Sequence, residues 1–182
     1  MTSGLVIDTR DLGRRAGAAK TVRLTASAPE GIGTEMIGVP PESPIELDVH
    51  VESVGEGILV SGDATVQILG ECARCLGEVT DEMTVDLQEL FLHPGVEPDD
   101  EEAHRVQNEL VDVEPVLRDA VVLDLPFTPL CRPDCAGLCP ICGKNWNEGP
   151  CDCEQDDIDP RLAGLRALLE DRLPDDEGGG QK

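Results

Sequence analysis

Apolar and polar residues alternate along several stretches of this chain. Thr21-Val22-Arg23-Leu24-Thr25 and Ile45-Glu46-Leu47-Asp48-Val49-His50-Val51 each put every second side chain on one face, the period of a half-buried β-strand. Ile58-Leu59-Val60 is a short apolar run, and Gly55-Glu56-Gly57 ahead of it reads as a hairpin loop. Ala64 through Leu69 forms another strand leading into Cys72, and residues 79–92 carry one more, with Met83, Val85 and Leu87 on one face. Strands in series with this pattern predict an antiparallel β-rich sheet or small barrel.

Beyond Pro94 the alternation gives way to an acidic loop containing Glu97, Asp99, Asp100, Glu101 and Glu102. Helical spacing then takes over at Val113, Val116, Leu117, Ala120, Val121 and Leu123, with Asp112 as N-cap, Pro115 in the first turn and Pro126 as the stop. A second helix is predicted over 160–173. Asp159 and Pro160 open it, Leu162, Leu165, Leu168, Leu169 and Leu173 share a side, and Pro174 ends it. The predicted class is α+β, a β-rich sheet or small barrel with two helices and a cysteine-rich zinc-binding segment. Its organisation is a basic N-terminal arm over 1–25, a single domain over 26–173 that includes the cysteine-rich segment 131–153, and an acidic, Gly-rich, disordered tail over 174–182.

Eight cysteines occur as four close pairs, Cys72/Cys75, Cys131/Cys135, Cys139/Cys142 and Cys151/Cys153. Eight thiols supply two tetrahedral all-cysteine sites, and pairs two to four residues apart can grip one zinc from a tight turn. Disulfides are the competing reading. The opening residues Met1 to Asp8 lack the apolar core of a secretory signal, and no later stretch reaches membrane-span length, so a cytoplasmic, reducing setting is expected, where paired thiols serve as metal ligands. Cys139, Cys142, Cys151 and Cys153 are compact enough to close one site locally. Cys72, Cys75, Cys131 and Cys135 would then form the other across a long stretch of chain.

All-cysteine sites predict structural zinc, because catalytic zinc keeps an open position and commonly a histidine. His50, His93 and His104 lie far in sequence from every pair, so no catalytic residue is assigned and the chain is read as non-enzymatic. Cys135-x3-Cys139-x2-Cys142 also has the spacing that holds the iron–sulfur cluster of radical-SAM enzymes, which keeps a cluster protein as an alternative. That spacing leaves Cys131, Cys151 and Cys153 without a role, and too little chain follows Cys142 for a barrel.

Charge and composition narrow the partners. The formal net charge is −24, and Phe91, Phe127 and Trp146 are the only aromatic residues. Such a surface repels phosphate backbones, attracts basic proteins and offers few platforms for base stacking. The exception is residues 1–25, where Arg10, Arg14, Arg15, Lys20 and Arg23 outnumber Asp8 and Asp11. These five are the candidate contacts if the protein touches nucleic acid directly.

Taken in order, Val6-Ile7-Asp8-Thr9-Arg10-Asp11-Leu12, Cys72-Ala-Arg-Cys75-Leu76, Cys131-x3-Cys135-Ala-Gly-Leu-Cys139-Pro-Ile-Cys142-Gly-Lys-Asn145-Trp-Asn147, Cys151-x-Cys153 and Asp159-Pro160-Arg161-Leu162 resemble the YceD-like family of large ribosomal RNA subunit accumulation proteins. The resemblance runs from about residue 4 to 173, with Trp146 where leucine is common. It implies a bacterial, cytosolic, non-enzymatic factor for 23S rRNA accumulation or processing, whose gene commonly neighbours that of a zinc-ribbon ribosomal protein. Combined with the charge, it predicts action through a basic large-subunit ribosomal protein or assembly factor. A direct rRNA-binding zinc protein is the alternative.

Overall fold

The structure, a computed structural model, describes residues 4–97 and 103–153. It divides into two compact units, Met1–Gly137 and Leu138–Lys182. The expected helix over 160–173 and the tail over 174–182 lie outside the described residues.

The first unit is built on long antiparallel strands. β1 (Val6–Asp8) pairs with β7 (Leu110–Asp112) in a small ribbon. β2 (Ala19–Ser27), β4 (Pro44–Ser53), β5 (Gly57–Glu71) and β6 (Glu78–Leu92) lie side by side in that order, and the short β3 (Ile37–Gly38) pairs with the end of β5. The 1–25 segment thus supplies β1 and most of β2. Among the described residues no ladder joins β2 to β6, so the main sheet is open and the barrel alternative is not realised.

The runs at 58–60 and 64–69, read separately from the sequence, are one strand. Gly62 lies between them with φ +153°, and a Cβ there would stand 2.2 Å from the Asp48 carbonyl oxygen. Only glycine lets β4 and β5 approach so closely, and β5 runs through where the sequence suggested a break.

One described helix follows, α1 (Glu114–Asp124), packed against β6. Its N-cap is Val113, not Asp112. Asp112 is held as the last residue of β7, and its carboxylate accepts the Glu114 N–H at 3.0 Å, so it serves the helix start from one position earlier. Leu117 and Val121 join Leu5, Val111, Val113, Val49, Val60 and Phe91 in the core. Fully burying such side chains stabilises the fold by about 1.5–3 kcal/mol each.

The opposite face of the sheet is solvated and acidic. Arg23, Asp48, Asp63 and Asp86 stand directly opposite one another on β2, β4, β5 and β6, so one cation faces a row of three carboxylates. Glu71 and Glu78 are likewise directly opposed. Like charges in cross-strand register disfavour pairing, a cost the buried face of the sheet must offset.

Candidate metal centres

The structure gathers the eight cysteines into two tetrads. In each, the four sulfurs lie within 4.8 Å of one another, and the members are Cys72, Cys75, Cys131 and Cys135 in one and Cys139, Cys142, Cys151 and Cys153 in the other. All eight are free thiols. The radical-SAM triplet is therefore divided, with Cys135 in one tetrad and Cys139 and Cys142 in the other.

The first tetrad is anchored in the sheet. β5 and β6 end at a turn in which the Cys72 N–H donates to the Gly77 carbonyl at 2.7 Å and the Leu76 N–H to the Cys72 carbonyl at 2.9 Å. The second pair is brought up after α1. The Ala73 N–H donates to the Pro129 carbonyl at 2.8 Å, and Arg74 Nη1 to the Cys135 carbonyl at 2.9 Å. Arg74 was not singled out in the sequence, where it is only the second spacer of a Cys-x2-Cys turn. Cys72, Cys75 and Cys135 are buried and Cys131 is exposed.

The sulfur spacing fits a metal. Cys72 and Cys135 sulfurs are 3.8 Å apart and Cys75 and Cys131 sulfurs 3.6 Å apart. Four thiolates at about 2.3 Å from a central zinc would stand roughly 3.8 Å from each other, whereas a disulfide needs about 2.05 Å. The donor set is soft, complete and closed, as a structural zinc site requires. Without metal, the Cys131 N–H aimed at the Cys72 sulfur draws that thiol down to about 6, while burial and the surrounding sulfurs push Cys131 up to about 12. A cation binding to the four sulfurs would release the protons the thiols still carry.

The second tetrad closes within a short span. Its turn repeats the first: the Cys139 N–H donates to the Lys144 carbonyl at 2.8 Å and the Gly143 N–H to the Cys139 carbonyl at 2.9 Å. The Ile141 N–H points at the Cys139 sulfur at 3.4 Å. Lys144 Nζ reaches the Pro150 carbonyl at 2.6 Å and draws the Cys151 segment in. Trp146, the single tryptophan, donates its indole N–H to the Cys151 sulfur at 3.4 Å, the largest cause lowering that thiol to about 6. The Cys153 thiol, donating to the Cys142 sulfur and partly desolvated, is pushed up to about 12. The role of Trp146 was legible only as its proximity to the pairs, since nothing in the sequence tells a ligand's donor from a packing residue.

No histidine joins either tetrad. His50 is exposed on the solvated sheet face, His104 stacks against Phe91 with ring centroids 5.4 Å apart, and His93 is buried, its Nε2 without a partner among the described residues.

The five candidate rRNA contacts are placed as follows. Arg10 pairs with Asp8, Lys20 with Asp11 and the Asp8 carbonyl, and Arg23 with Asp48. Arg14 reaches the Pro94 carbonyl at 3.5 Å, and Arg15 is exposed. Three of the five cations thus face carboxylates of this chain.

The family model described as large ribosomal RNA subunit accumulation protein YceD matches residues 60–169. An uncharacterized protein of Mycobacterium tuberculosis, Rv2926c, is 42% identical over 93% of this chain and 83% of its own length. YlbN of Bacillus subtilis, also described as uncharacterized, is 28% identical over 67% of this chain and 70% of its own. The chloroplastic large ribosomal RNA subunit accumulation protein YCED homolog 1 of Arabidopsis thaliana is 35% identical over 33% of this chain and 19% of its own. No solved structure matches. With more than half of its residues, all eight tetrad cysteines among them, under that one family model, the chain belongs to the YceD family of large ribosomal RNA subunit accumulation proteins.

Proposed function

We propose that this protein is a non-enzymatic, cytoplasmic factor that promotes 23S rRNA accumulation and large-subunit assembly by holding or delivering a basic large-subunit ribosomal protein. In this reading each tetrad binds one structural Zn2+ through its four thiolates, and the metal supplies cross-linking and no chemistry. The observation that carries it is the sheet's solvated face, where Arg23 alone stands opposite Asp48, Asp63 and Asp86 in register. A protein of net charge −24 with such a face raises the local concentration of cationic polypeptides and repels naked RNA. The engagement of Arg10, Lys20 and Arg23 with carboxylates of the same chain supports it, since those cations are already partly neutralised.

Competition binding tests this at about 150 mM salt, where charges more than about 8 Å apart are screened. Labelled protein should bind purified basic large-subunit ribosomal proteins more tightly than naked 23S rRNA fragments. The reverse order, with a steep salt dependence abolished by Arg14→Glu/Arg15→Glu, would replace the reading by direct rRNA binding. Elemental analysis should find about two zinc per chain, and iron with a broad visible band would refute the zinc assignment.

A further inference from the structure

The two cysteine turns share their backbone hydrogen bonds, and one of the positions at which they differ is the residue after the second cysteine. The residue after the second cysteine donates its N–H to the carbonyl of the first cysteine in both, and in both it has left-handed backbone, φ +72° at Gly143 and φ +57° at Leu76. Glycine adopts that conformation at no steric cost, whereas a side chain there is disfavoured by roughly 1–2 kcal/mol. Leu76 is nonetheless kept in it, and its side chain is not used for packing, being 61% exposed. A strained backbone carrying an exposed apolar side chain has no account in the stability of this fold.

Leu76 lines an open groove that ends on β3 and β5, with Met36 and Leu69 alongside, 44% and 43% exposed. The charged lining residues are Glu35, Glu71 and Glu78, and no ion pair engages them among the described residues. Glu71 and Glu78 are the directly opposed pair of β5 and β6, held next to the groove at a cost to the sheet. Apolar anchors inside a rim of one charge sign describe an interface centre. A second copy of this chain would bring the same carboxylates against this rim, so the rim disfavours it.

We infer that the groove formed by Met36, Leu69 and Leu76, rimmed by Glu35, Glu71 and Glu78, docks a Lys/Arg-rich polypeptide segment that carries leucine-like side chains between its cations. The apolar side chains of that segment pack on Leu76 and Leu69 while its cations meet the rim. The first tetrad positions this surface, because the turn that offers Leu76 is the turn that offers Cys72 and Cys75. This placement rests on the proposed reading that the partner is a basic protein, and it adds where such a partner binds.

Fluorescence anisotropy with full-length protein separates the two. The first titrant is a labelled peptide alternating arginine and leucine, with an arginine–serine peptide of equal charge as control, and the second is the set of purified large-subunit ribosomal proteins. Leu76→Gly should relieve the strained turn and leave zinc content and melting temperature unchanged or raised, yet weaken the arginine–leucine peptide about tenfold, the loss expected for truncating one apolar anchor. Leu69→Ser should weaken it comparably, and Glu71→Lys/Glu78→Lys more, while Glu56→Lys in the β4–β5 loop should do little. Equal binding of the two peptides, or unchanged binding by Leu76→Gly and Leu69→Ser, would overturn the groove assignment even where the ribosomal proteins still bind. If wild-type protein bound none of the ribosomal proteins, the partner reading itself would fail and the inference with it. Two other occupants are read in the same experiment. A change of oligomeric state in Leu69→Ser would assign the groove to a second copy, and a tenfold gain of peptide affinity in Leu165→Ser/Leu169→Ser would assign it to residues 160–173, either result replacing the proposal.

Discussion

The two tetrads offer the same four-thiol donor set at two different kinds of place in the chain. The first joins the end of the β5–β6 hairpin to the segment after α1, and three of its cysteines are buried. The second closes a short local loop, with Cys139 buried and Cys142, Cys151 and Cys153 exposed or half-buried. A cross-link between distant segments removes more freedom from the unfolded chain than one that closes a small loop, by about 0.6 kcal/mol for each doubling of the loop. Loaded with a metal, the same ligand set would therefore clamp distant segments of the sheet unit in one place and close a short local loop in the other.

Breaking the clamp should have the largest effect. Cys72→Ser is expected to cost on the order of 5 kcal/mol or more of sheet-unit stability and to broaden thermal unfolding followed by far-UV circular dichroism. Cys151→Ser should leave that unfolding transition nearly unchanged, and an equal loss from both variants would erase the distinction between the tetrads.

Metal exchange sharpens the comparison at the next level. In a chelator challenge, zinc should leave in two phases, the exposed tetrad first and the buried one at least about tenfold more slowly, since access limits attack on the thiolates. Trp146, the single tryptophan, donates to Cys151 of the second tetrad, so its fluorescence should change with the fast phase and stay silent through the slow one. A fluorescence change tracking the slow phase would reverse the assignment.

Trp146→Phe removes the indole N–H from Cys151 while keeping an aromatic ring. Loss of an outer hydrogen bond to a ligand typically costs about 10–100-fold in metal affinity, so the fast phase should accelerate by about tenfold and the slow phase should not move.

The smallest predicted effect lies away from both tetrads. Burial, with a lesser contribution from Arg14, lowers the His93 imidazole below its ordinary value, so the folded state holds it neutral. Its contribution to stability is complete above about pH 6.5, the unfolded value, and is lost as pH falls through the lowered folded value. The melting temperature should accordingly fall between about pH 7 and pH 5, and His93→Gln should flatten that slope. A slope that survives the substitution would assign the acid limb to other groups.

The strands were legible where alternation met burial on one face, as in β4, whose Ile45, Leu47, Val49 and Val51 are all buried. β1, β3 and β7 were not, being two or three residues long and carrying too little pattern to register. The runs at 58–60 and 64–69 read as two strands, and the role of Gly62 between them shows only once the strand pressed against it is seen. The N-cap of α1 moved by one residue because pairing with β1 holds Asp112 in the strand. At the candidate site the thiols and their spacing were plain, while Arg74, the Trp146 indole and the conformation of Leu76 were not, since each acts through a partner or a backbone angle.

What the sequence by itself determined is chemical and local: eight thiols in four close pairs, a strongly acidic chain, and alternation that commits several stretches of the first half to strands. Only the tertiary structure decided which surfaces those residues share. Cross-strand register set Asp48, Asp63 and Asp86 in one row and Glu71 against Glu78, and register depends on how strands pair, which no single strand encodes. The left-handed angle at Leu76 follows for the same reason, from the folded turn that imposes it and not from leucine's own preference.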